Sequence, residues 1–326
     1  MGARIPTLPG HMATLQLSMA ERTAFFAQAL GLELHALQLI KRNPYCSIYQ
    51  AQTGAARCII KHYLPAHTQL VAFEAAAVDA YHAIAHADPQ LIDARTLAHA
   101  PAENLVCISF VSGAPLSDLL RRAARDDNAR AGAINAMRIL AAVLQRWQAT
   151  TRQPDAPTDP FFGEYIAYCS ARLRAMPVLG RLLFHAMPAS GAHIADTFYR
   201  ARIVPSFAHG DCVFRNIHVE GRRIGMIDFA NTNPRSHLLN DYYNLRLAFA
   251  NMLLPRALKT EVWHAFDAAL DVRAMPACAH AFYWEYHRRR WLMLKLRARH
   301  PREWAEGLRG LLSFARQLPQ PPGATA

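Results

Sequence analysis

Short apolar runs separated by turn-forming residues dominate the first hundred or so positions of this chain. Three such runs, at 37–40, 48–51 and 57–63, predict β-strands. The segments between them, KRNPYCS and QTGAA, carry the Pro, Asn, Ser and Gly residues that favour turns. An alanine-rich stretch with helical character follows, with Thr68 as a candidate N-cap, and a further apolar run at 104–111 predicts another strand.

Helical spacing is typical of the second part of the chain. A helix is predicted to begin near residue 117, and apolar residues recur at helical spacing over 131–147. A third helical region runs from 161 to about 187, and helices return near the C-terminus before a Pro-rich tail. Two short apolar runs interrupt this pattern, at 217–219 and 224–227. The Glu-Gly-Arg segment between them predicts a β-hairpin.

Two carboxylates and a carboxamide flank the predicted hairpin. Asp211 precedes Asn216 by five residues, Asn216 enters the first strand, and Asp228 leaves the second. Asn216 and Asp228 are therefore expected at the same end of the hairpin, where one metal ion could contact both. Asp211 would lie in a loop that can reach a substrate, and His209 and Gly210 are expected to shape that loop. Phosphoryl transfer needs such groups, a carboxylate to accept the hydroxyl proton and oxygens to hold magnesium.

These residues resemble the aminoglycoside phosphotransferase and choline kinase family of the protein-kinase-like fold. Its catalytic loop reads H-G-D-x-x-x-x-N, and a strand ending in I-D-F or I-D-W follows. The matching positions here are His209-Gly210-Asp211, Asn216 and Ile227-Asp228-Phe229. The resemblance implies an α+β, bilobal protein-kinase-like fold, with a small N-terminal antiparallel-sheet lobe and a larger, mainly helical C-terminal lobe. The alternative is a hairpin flanked by Asp, Asn and Asp through coincidence, since D-x-x-x-x-N alone is common.

The same resemblance assigns roles to the residues of the motif. It implies that Asp211 is the catalytic base and places His209 beside it among the catalytic residues. Asn216 and Asp228 are the implied metal ligands. Asp241 matches a downstream aspartate that braces the catalytic loop.

A nucleotide-binding lobe is expected in the N-terminal third. Lys61 closes the run Cys58-Ile59-Ile60, much as lysine closes the V-A-I-K strand of kinases, and would contact the nucleotide phosphates. Glu74 lies thirteen residues later on the predicted helix and would orient Lys61 through an ion pair. The alternative is an ordinary surface lysine and a solvated helix glutamate.

Two further segments complete the predicted nucleotide site. The resemblance places the hinge at the end of the fourth strand, where adenine would bond to backbone groups at three residues: Ser109, Phe110 and Val111. The first turn, 41–47, contains no glycine, so its amides approach a phosphate less freely. Ser47 and Asn43 are candidates to substitute with side-chain hydrogen bonds.

Length and composition agree with two lobes. The 326 residues, 52% of them hydrophobic, suffice for two cores. The predicted boundaries are an N-terminal lead and helix at 1–34, a nucleotide-binding lobe at 35–111, a catalytic and acceptor-binding lobe at 112–318, and a flexible tail at 319–326. No long uncharged apolar stretch and no signal-type core are present, so a cytoplasmic location is expected, with peripheral attachment to the inner membrane as an option. The six cysteines form no C-x-x-C pair, which argues against a zinc site or a disulfide framework.

Charge bears on the acceptor. The formal net charge is +12, and the densest basic cluster begins at His287 and continues to His300. A polycationic acceptor would need carboxylates in its cleft, and the large lobe has comparatively few of them. The arginines favour a neutral or anionic acceptor, such as a sugar phosphate, or an anionic membrane surface, although any one arginine can simply be a solvated helix residue. No nucleic-acid-binding module is recognised, so nucleic acid is not an expected partner.

The sequence therefore predicts an ATP- and Mg²⁺-dependent phosphotransferase that moves the γ-phosphoryl group to a hydroxyl of a small molecule or sugar. One alternative is a glycolipid sugar kinase, of the kind that acts on a lipopolysaccharide core, at the inner membrane face. The other is a catalytically silent nucleotide-binding regulator. The glycine-free turn favours the regulator, whereas the presence of Lys61, Asp211, Asn216 and Asp228 opposes it.

Overall fold

The computed structural model describes residues 17–175, 191–272 and 274–296. Contacts divide this chain into two compact units. The first contains the residues up to Ala114 together with Ile217–Thr232, and the second begins at Pro115 and contains the remainder. The two-residue strand β6 (Ala114–Pro115) marks the change from one unit to the other along the chain.

The first unit is built on an antiparallel sheet of five strands in the order β1-β2-β3-β5-β4. Its elements are α1 (Met19–Leu30), β1 (His35–Arg42), β2 (Cys46–Thr53), β3 (Ala56–Tyr63), α2 (Gln69–Ala85), β4 (Thr96–Ala100), β5 (Leu105–Ser109), β8 (Ile217–Glu220) and β9 (Arg223–Met226). Helix α1 begins at a capping box formed by Ser18 and Glu21. It ends at Gly31, whose left-handed backbone (φ 65°) suits glycine.

The two faces of this sheet carry different side chains, because successive residues of a strand point to opposite sides. On β3, Cys58 and Ile60 join the hydrophobic core that also contains Phe25 and Phe26 of α1. Ile59 and Lys61 instead line a cavity. The alternation thus buries one face of β3 in the core and leaves the other for the cavity.

The hairpin formed by β8 and β9 belongs to the first unit. Leu91 forms a parallel bridge with Ile224. The Ile92 N–H donates to the Ile224 carbonyl at 2.7 Å, and the Ile224 N–H donates to the Gln90 carbonyl at 3.0 Å. The sequence interpretation placed this hairpin within 112–318, whereas these hydrogen bonds join it to the segment before β4. The predicted division of the chain into four segments remains a prediction.

The second unit is mainly helical. Its elements are α3 (Leu116–Arg122), α4 (Asp127–Thr150), α5 (Phe161–Ala175), α6 (Gly191–Arg200), β7 (Ser206–Ala208), β10 (Asn233–Ser236), α7 (Leu238–Asn251), α8 (Arg256–Ala269) and α9 (Ala277–Leu296). Strands β7 and β10 pair antiparallel, with Asn233 opposite Ala208 and Ser236 opposite Ser206. Among the described helices, none combines the length and apolarity that crossing a membrane would require.

The part of the basic cluster whose side chains the structure describes, 287–290, is buried or half-buried, contrary to the expectation of an exposed cationic surface. His287 donates to or accepts from the Asn240 side chain at 2.7 Å, and Arg289 bonds to Glu285 and to Ser170. Arg288 also pairs with Glu285, at 2.8 Å. His287, Arg288 and Arg289 therefore have their partners inside the helical unit.

Several predictions fall outside the described residues. They are the lead before residue 17, the end of the helix predicted to reach about 187, the basic residues at 297–300 and the tail at 319–326.

Candidate active site

The centre of the candidate site is a three-way contact in the first unit. The Lys61 Nζ atom lies 2.6 Å from Glu74 Oε1 and 2.7 Å from Asp228 Oδ1. Glu74 lies on α2, which starts after Thr68, although the Thr68 hydroxyl donates to the Pro65 carbonyl and does not cap the helix. The Tyr63 hydroxyl donates to the other oxygen of Glu74. The predicted Lys61–Glu74 ion pair is present in the structure.

The electrostatics of this contact keep the lysine charged. Burial alone would lower the pKa of the Lys61 ammonium, but the carboxylates of Glu74 and Asp228 outweigh burial and raise that pKa above its ordinary value. Burial, with the Glu74 carboxylate next in importance, raises the pKa of Tyr63, so its hydroxyl remains a donor. A fixed cation thus faces the cavity at physiological pH.

A cavity of about 230 Å³ within the first unit contains this contact. Lys61, Glu74 and Asp228 line one part of it, and three of the predicted nucleotide-site residues, Ser109, Phe110 and Val111, also line it. Among the other lining residues His218 is polar. The rest are apolar: Ile40, Ile48, Ile59, Ala94, Ile108, Met226, Ile227 and Phe229. An apolar cavity with a charged end suits an amphipathic ligand.

The predicted hinge has part of its backbone already engaged. The Ser109 N–H donates to the Arg95 carbonyl at 3.0 Å, and the Phe110 N–H donates to the Arg57 carbonyl at 3.1 Å. Neither N–H is therefore available to a base. The Val111 N–H is the donor of this segment for which the described residues show no such backbone hydrogen bond.

Ser47 does not join the cavity. It lies in β2 and not in a loop, next to Ile48, and the two side chains point to opposite faces of the sheet. Ile48 lines the cavity, whereas Ser47 is buried outside it. The turn before it closes without glycine because Asn43 Oδ1 accepts from the N–H groups of Tyr45 (2.8 Å) and Cys46 (2.7 Å). Those two amides are therefore not free to hold a phosphate.

The catalytic-loop motif lies in the second unit, directly after β7. Gly210 has φ 75°, a left-handed conformation that other residues adopt with strain. The Asp241 carboxylate accepts from the His209 N–H at 2.7 Å and from the Gly210 N–H at 2.9 Å. Burial raises the pKa of Asp241 to about 6. The loop is thus held from α7, as expected for a bracing aspartate.

Asp211 and Asn216 are joined within this loop. Asn216 Nδ2 donates to the Asp211 carbonyl at 2.9 Å and to Asp211 Oδ2 at 3.1 Å. These bonds use the amide nitrogen of Asn216 and leave its Oδ1 oxygen for another partner. Arg215 approaches Asp211 Oδ2 at 3.1 Å, and its side chain is 69% exposed.

His209 is fully buried and packs edge-on against Trp147, with ring centroids 6.2 Å apart. Its backbone N–H is one of the two donors to Asp241. The ring therefore lies in the interior of the second unit, and the catalytic role expected for His209 remains a prediction.

The two predicted metal ligands lie in different units. In the first unit, Asp228 has a carboxylate whose side chain is 38% exposed, and in the second unit, Asn216 has an amide oxygen. Carboxylate and amide oxygens are the kind of ligand that Mg²⁺ prefers. Asp228 also adopts a left-handed backbone (φ 65°, ψ 59°), which is uncommon outside glycine and concentrates at functional sites. Across the described ranges, no group of three His, Cys, Asp or Glu side chains could hold a metal.

Three site residues were missed in the sequence. Tyr63 follows Lys61 by two positions on β3, so the period of a strand could have placed both on one face. Arg215 lies inside the motif, but nothing in its spacing reveals the contact with Asp211. His218 follows Asn216 by two positions, and only the cavity shows its relevance.

Comparisons with known proteins agree with this geometry. A family model described as APH, phosphotransferase enzyme family, matches residues 47–235. A thermostable mutant of the aminoglycoside phosphotransferase APH(4)-Ia in its apo form superposes with a TM-score of 0.58 at 14% identity, covering 93% of this chain and 100% of that one. A search of curated proteins found no match.

Two other solved structures are similar. A putative fructosamine-3-kinase from Thermobifida fusca gives a TM-score of 0.57 at 14% identity, covering 92% of this chain and 100% of its own. The AMP-bound complex of spectinomycin phosphotransferase APH(9)-Ia gives 0.55 at 12% identity, with coverage of 93% and 100%. At such identities the likeness shows the fold alone. The predicted α+β, protein-kinase-like fold is confirmed.

Proposed function

This chain belongs to the phosphotransferase enzyme family, and from that premise we propose that it is an ATP- and Mg²⁺-dependent kinase that phosphorylates a hydroxyl of a small molecule or sugar. The observation that carries the proposal is the contact of Lys61 with Glu74 and Asp228 at the charged end of an otherwise mainly apolar cavity. A nucleotide matches this cavity, because the faces of its base are flat and largely apolar and its phosphates are anionic.

Each residue has a role that its surroundings support. Lys61 would hold the phosphates as a permanently charged donor, with Glu74 fixing its position. Asp228 and Asn216 would hold magnesium, which neutralises charge on the phosphates. Asp211 would accept the proton of the acceptor hydroxyl and orient its oxygen for attack. Asp241 would keep the loop that carries Asp211 in place.

The proposed acceptor is a neutral or anionic molecule with a hydroxyl. The solved structures named above include enzymes of aminoglycosides, yet this chain carries a net charge of +12. The exposed guanidinium of Arg215 beside Asp211 supports the same choice, because it would repel a polycation and attract an anion. Burial of His287 and Arg289 reduces the support for attachment to an anionic membrane. A soluble acceptor is therefore preferred over a glycolipid.

The contacts of the predicted site residues oppose the alternative of a catalytically silent nucleotide-binding regulator. Asn216 is hydrogen-bonded to Asp211, and Lys61 is paired with Glu74, as expected, and also with Asp228. The turn at Asn43, whose lack of glycine favours the regulator, has its Tyr45 and Cys46 amides engaged by the Asn43 side chain, so phosphate binding would depend on Lys61 and magnesium.

The test measures the thermal midpoint of the purified protein with ATP or GTP, each with and without magnesium. A ligand that binds only the folded state raises the thermal midpoint. At a ligand concentration a hundredfold above Kd, the free energy of unfolding increases by about 2.7 kcal/mol. The magnesium-dependent part of the rise should vanish in Asp228→Ala and persist in Asp211→Ala. Asp118→Ala, which removes an exposed ion pair with Arg121, serves as the matched control.

Transfer is then measured with radiolabelled ATP against a panel of sugars, sugar phosphates and amino sugars. Asp211→Ala should abolish transfer although it still binds nucleotide, since the base acts on the acceptor. Absence of any midpoint shift with either nucleotide at millimolar concentration would refute the proposed function. Identical behaviour of the two variants would refute the division of roles.

A further inference from the structure

Two histidines lie one turn apart at the C-terminal end of α2. His82 and His86 are four residues apart, so their side chains lie on the same face of the helix. The His86 N–H donates to the His82 carbonyl at 3.0 Å, so the helical geometry extends to His86. Glu74 precedes His82 by eight residues on the same helix, a distance of about 12 Å along the axis. The pair is therefore separate from the contact between Glu74 and Lys61.

An oxygen atom engages the Nδ1 atom of each imidazole. His82 Nδ1 lies 2.7 Å from Asp93 Oδ1, and His86 Nδ1 lies 2.9 Å from the His82 carbonyl oxygen. An ionised carboxylate and a carbonyl accept hydrogen bonds, so each neutral ring carries its proton on Nδ1 and has its lone pair on Nε2. Histidines that bind metals donate their other ring N–H to a carboxylate or a backbone carbonyl in this way. Both rings thus have the tautomer that a metal ligand requires.

The two Nε2 atoms can be reached from solvent. The His82 side chain is 39% exposed, and His86 is exposed. Within the part of the chain that the structure describes, the hydrogen bonds of these two rings involve Nδ1 and not Nε2. An ion from solution could therefore approach both lone pairs.

The separation of the rings suits a shared metal ion. The His82 and His86 ring centroids lie 5.2 Å apart, and the ring planes are inclined by 39°. With Zn–N bonds of about 2.0–2.1 Å and a tetrahedral angle at the metal, two imidazoles on one zinc ion have centroids roughly 5 Å apart. The observed spacing is therefore already that of a chelating pair.

Asp93 is held beside α2 by neighbouring contacts. The Tyr81 hydroxyl donates to the Ile92 carbonyl at 3.2 Å, and the Ile92 N–H donates to the Ile224 carbonyl at 2.7 Å. These bonds fix the segment that carries Asp93 against the residue that precedes His82. The carboxylate can therefore orient the His82 ring.

The local electrostatics favour a cation despite the net charge of the whole chain. His82 and His86 lie at the C-terminal end of a helix, where the partial negative charge of the macrodipole stabilises positive charge. The Asp93 carboxylate adds a full negative charge next to His82. Imidazole ligands select zinc, nickel or copper, whereas Mg²⁺ prefers oxygen. The pair therefore differs in chemistry from the magnesium ligands proposed above.

We propose that His82 and His86 form a binding site for a divalent transition-metal ion of the zinc class, that Asp93 positions the His82 ring, and that water or an external ligand completes the coordination. The site goes beyond the proposed kinase function and does not depend on a nucleotide. A bound ion would hold the last turn of α2 in place and stabilise the first unit.

The experiment titrates Zn²⁺ into the untagged, chelator-treated protein by isothermal calorimetry. Excess Mg²⁺ is present throughout to occupy oxygen ligands, and nucleotide is left out. Wild type is compared with Asp93→Asn and with the double variant His82→Gln/His86→Gln. The matched control is His35→Gln/His99→Gln, which removes two exposed histidines from the opposite edge strands of the five-stranded sheet. Thermal midpoints without metal establish that each variant is folded.

The expected result is that the tightest zinc-binding event of wild type disappears in His82→Gln/His86→Gln and persists in the control. Asp93→Asn should lower the zinc affinity by about tenfold, at the lower end of the effect of such supporting residues, because Asp93 is partly exposed. Zn²⁺ should raise the thermal midpoint of wild type and of the control, but not that of His82→Gln/His86→Gln.

Three results would overturn the inference. Zinc binding by His82→Gln/His86→Gln as tight as that of wild type would show that the ion binds elsewhere. An equal loss in the control would show diffuse binding to surface histidines. Unchanged affinity in Asp93→Asn would remove the positioning role of Asp93. Because no nucleotide or acceptor enters this experiment, a failure of the proposed kinase function would leave its outcome unaffected.

Discussion

Replacement of Glu74 by Gln tests the buried network directly. Glu74 is fully buried and accepts hydrogen bonds from the Lys61 ammonium and from the Tyr63 hydroxyl. Gln keeps the volume of the side chain but loses the charge. It also brings an NH₂ group toward two donors, so at most one oxygen remains to accept from them. The Lys61 ammonium would then depend on Asp228 for its neutralisation.

The magnitude follows from the geometry. Breaking a buried ion pair by removing one partner costs about 3–5 kcal/mol. Lys61 retains Asp228 at 2.7 Å, so the lower end of this range, about 3 kcal/mol, is expected. For a chain of this size each kcal/mol lowers the thermal midpoint by roughly 2–4 °C, which gives a decrease of about 6–12 °C.

The assay is thermal unfolding of the ligand-free protein followed by circular dichroism, with Glu261→Gln as the control. Glu261 pairs with Arg130 at a half-exposed position, and loss of such a pair is worth about 0–1 kcal/mol. A cycle with Tyr63→Phe adds a measure of coupling, expected at about 0.5–3 kcal/mol because both hydrogen bonds converge on one carboxylate. A midpoint for Glu74→Gln that equals that of Glu261→Gln would refute the reasoning.

Three further outcomes are expected. Arg215→Ala should lower kcat by roughly tenfold with little change in the KM for ATP, because the guanidinium lies beside Asp211 and not in the nucleotide cavity. Arg215→Lys should restore part of the rate, and an unchanged kcat in Arg215→Ala would exclude a role of Arg215 in the transfer step. Burial raises the pKa of Asp241 from 3.8 to about 6, so its contribution to the unfolding free energy is fully present below pH 3.8 and is lost as the pH rises through about 6. The unfolding free energy of wild type minus that of Asp241→Asn should therefore decrease between pH 4 and 7, and a constant difference would contradict this prediction. Gly225→Ala should destabilise the protein by about 1–3 kcal/mol in urea titrations and weaken nucleotide binding, because the new Cβ would lie 2.5 Å from Val111; wild-type stability would show that the hairpin can move aside.

The catalytic loop could be predicted in detail because its residues are close in sequence. Asp211, Asn216 and the hairpin follow one another within twenty residues, so strand period and turn chemistry define their order. The hydrogen bonds from Asn216 to Asp211 span only five positions. Local geometry decides such contacts.

Face assignments within strands could also have been derived from sequence, and here the prediction was incomplete. The period of two separates Lys61 from Ile60 and Ser47 from Ile48. Applying it would have placed Tyr63 with Lys61 and would have removed Ser47 from the cavity. That prediction was missed because Ser47 was assigned to a turn, and the turn ends two residues earlier, at Tyr45.

Only the tertiary structure decides which charges are used inside the protein. The run that begins at His287 looks like a cationic surface in sequence, but helix packing buries His287 and Arg289 and joins Arg289 to Ser170 of α5. Burial depends on which face of α9 meets its neighbours. Charge in the sequence carries no information about that face when both sides contain aromatic and polar residues.

The sequence by itself determined the family motif, the order of strands and helices, and the identities of Lys61, Glu74 and Asp228, because each of these depends on local spacing. The tertiary structure decided that Lys61 meets Asp228, a residue 167 positions away, and that His218 enters the same cavity. The physical reason is that such contacts form only when the sheet and the hairpin pack together. Packing follows from the burial of many side chains at once, which no single segment of the chain specifies.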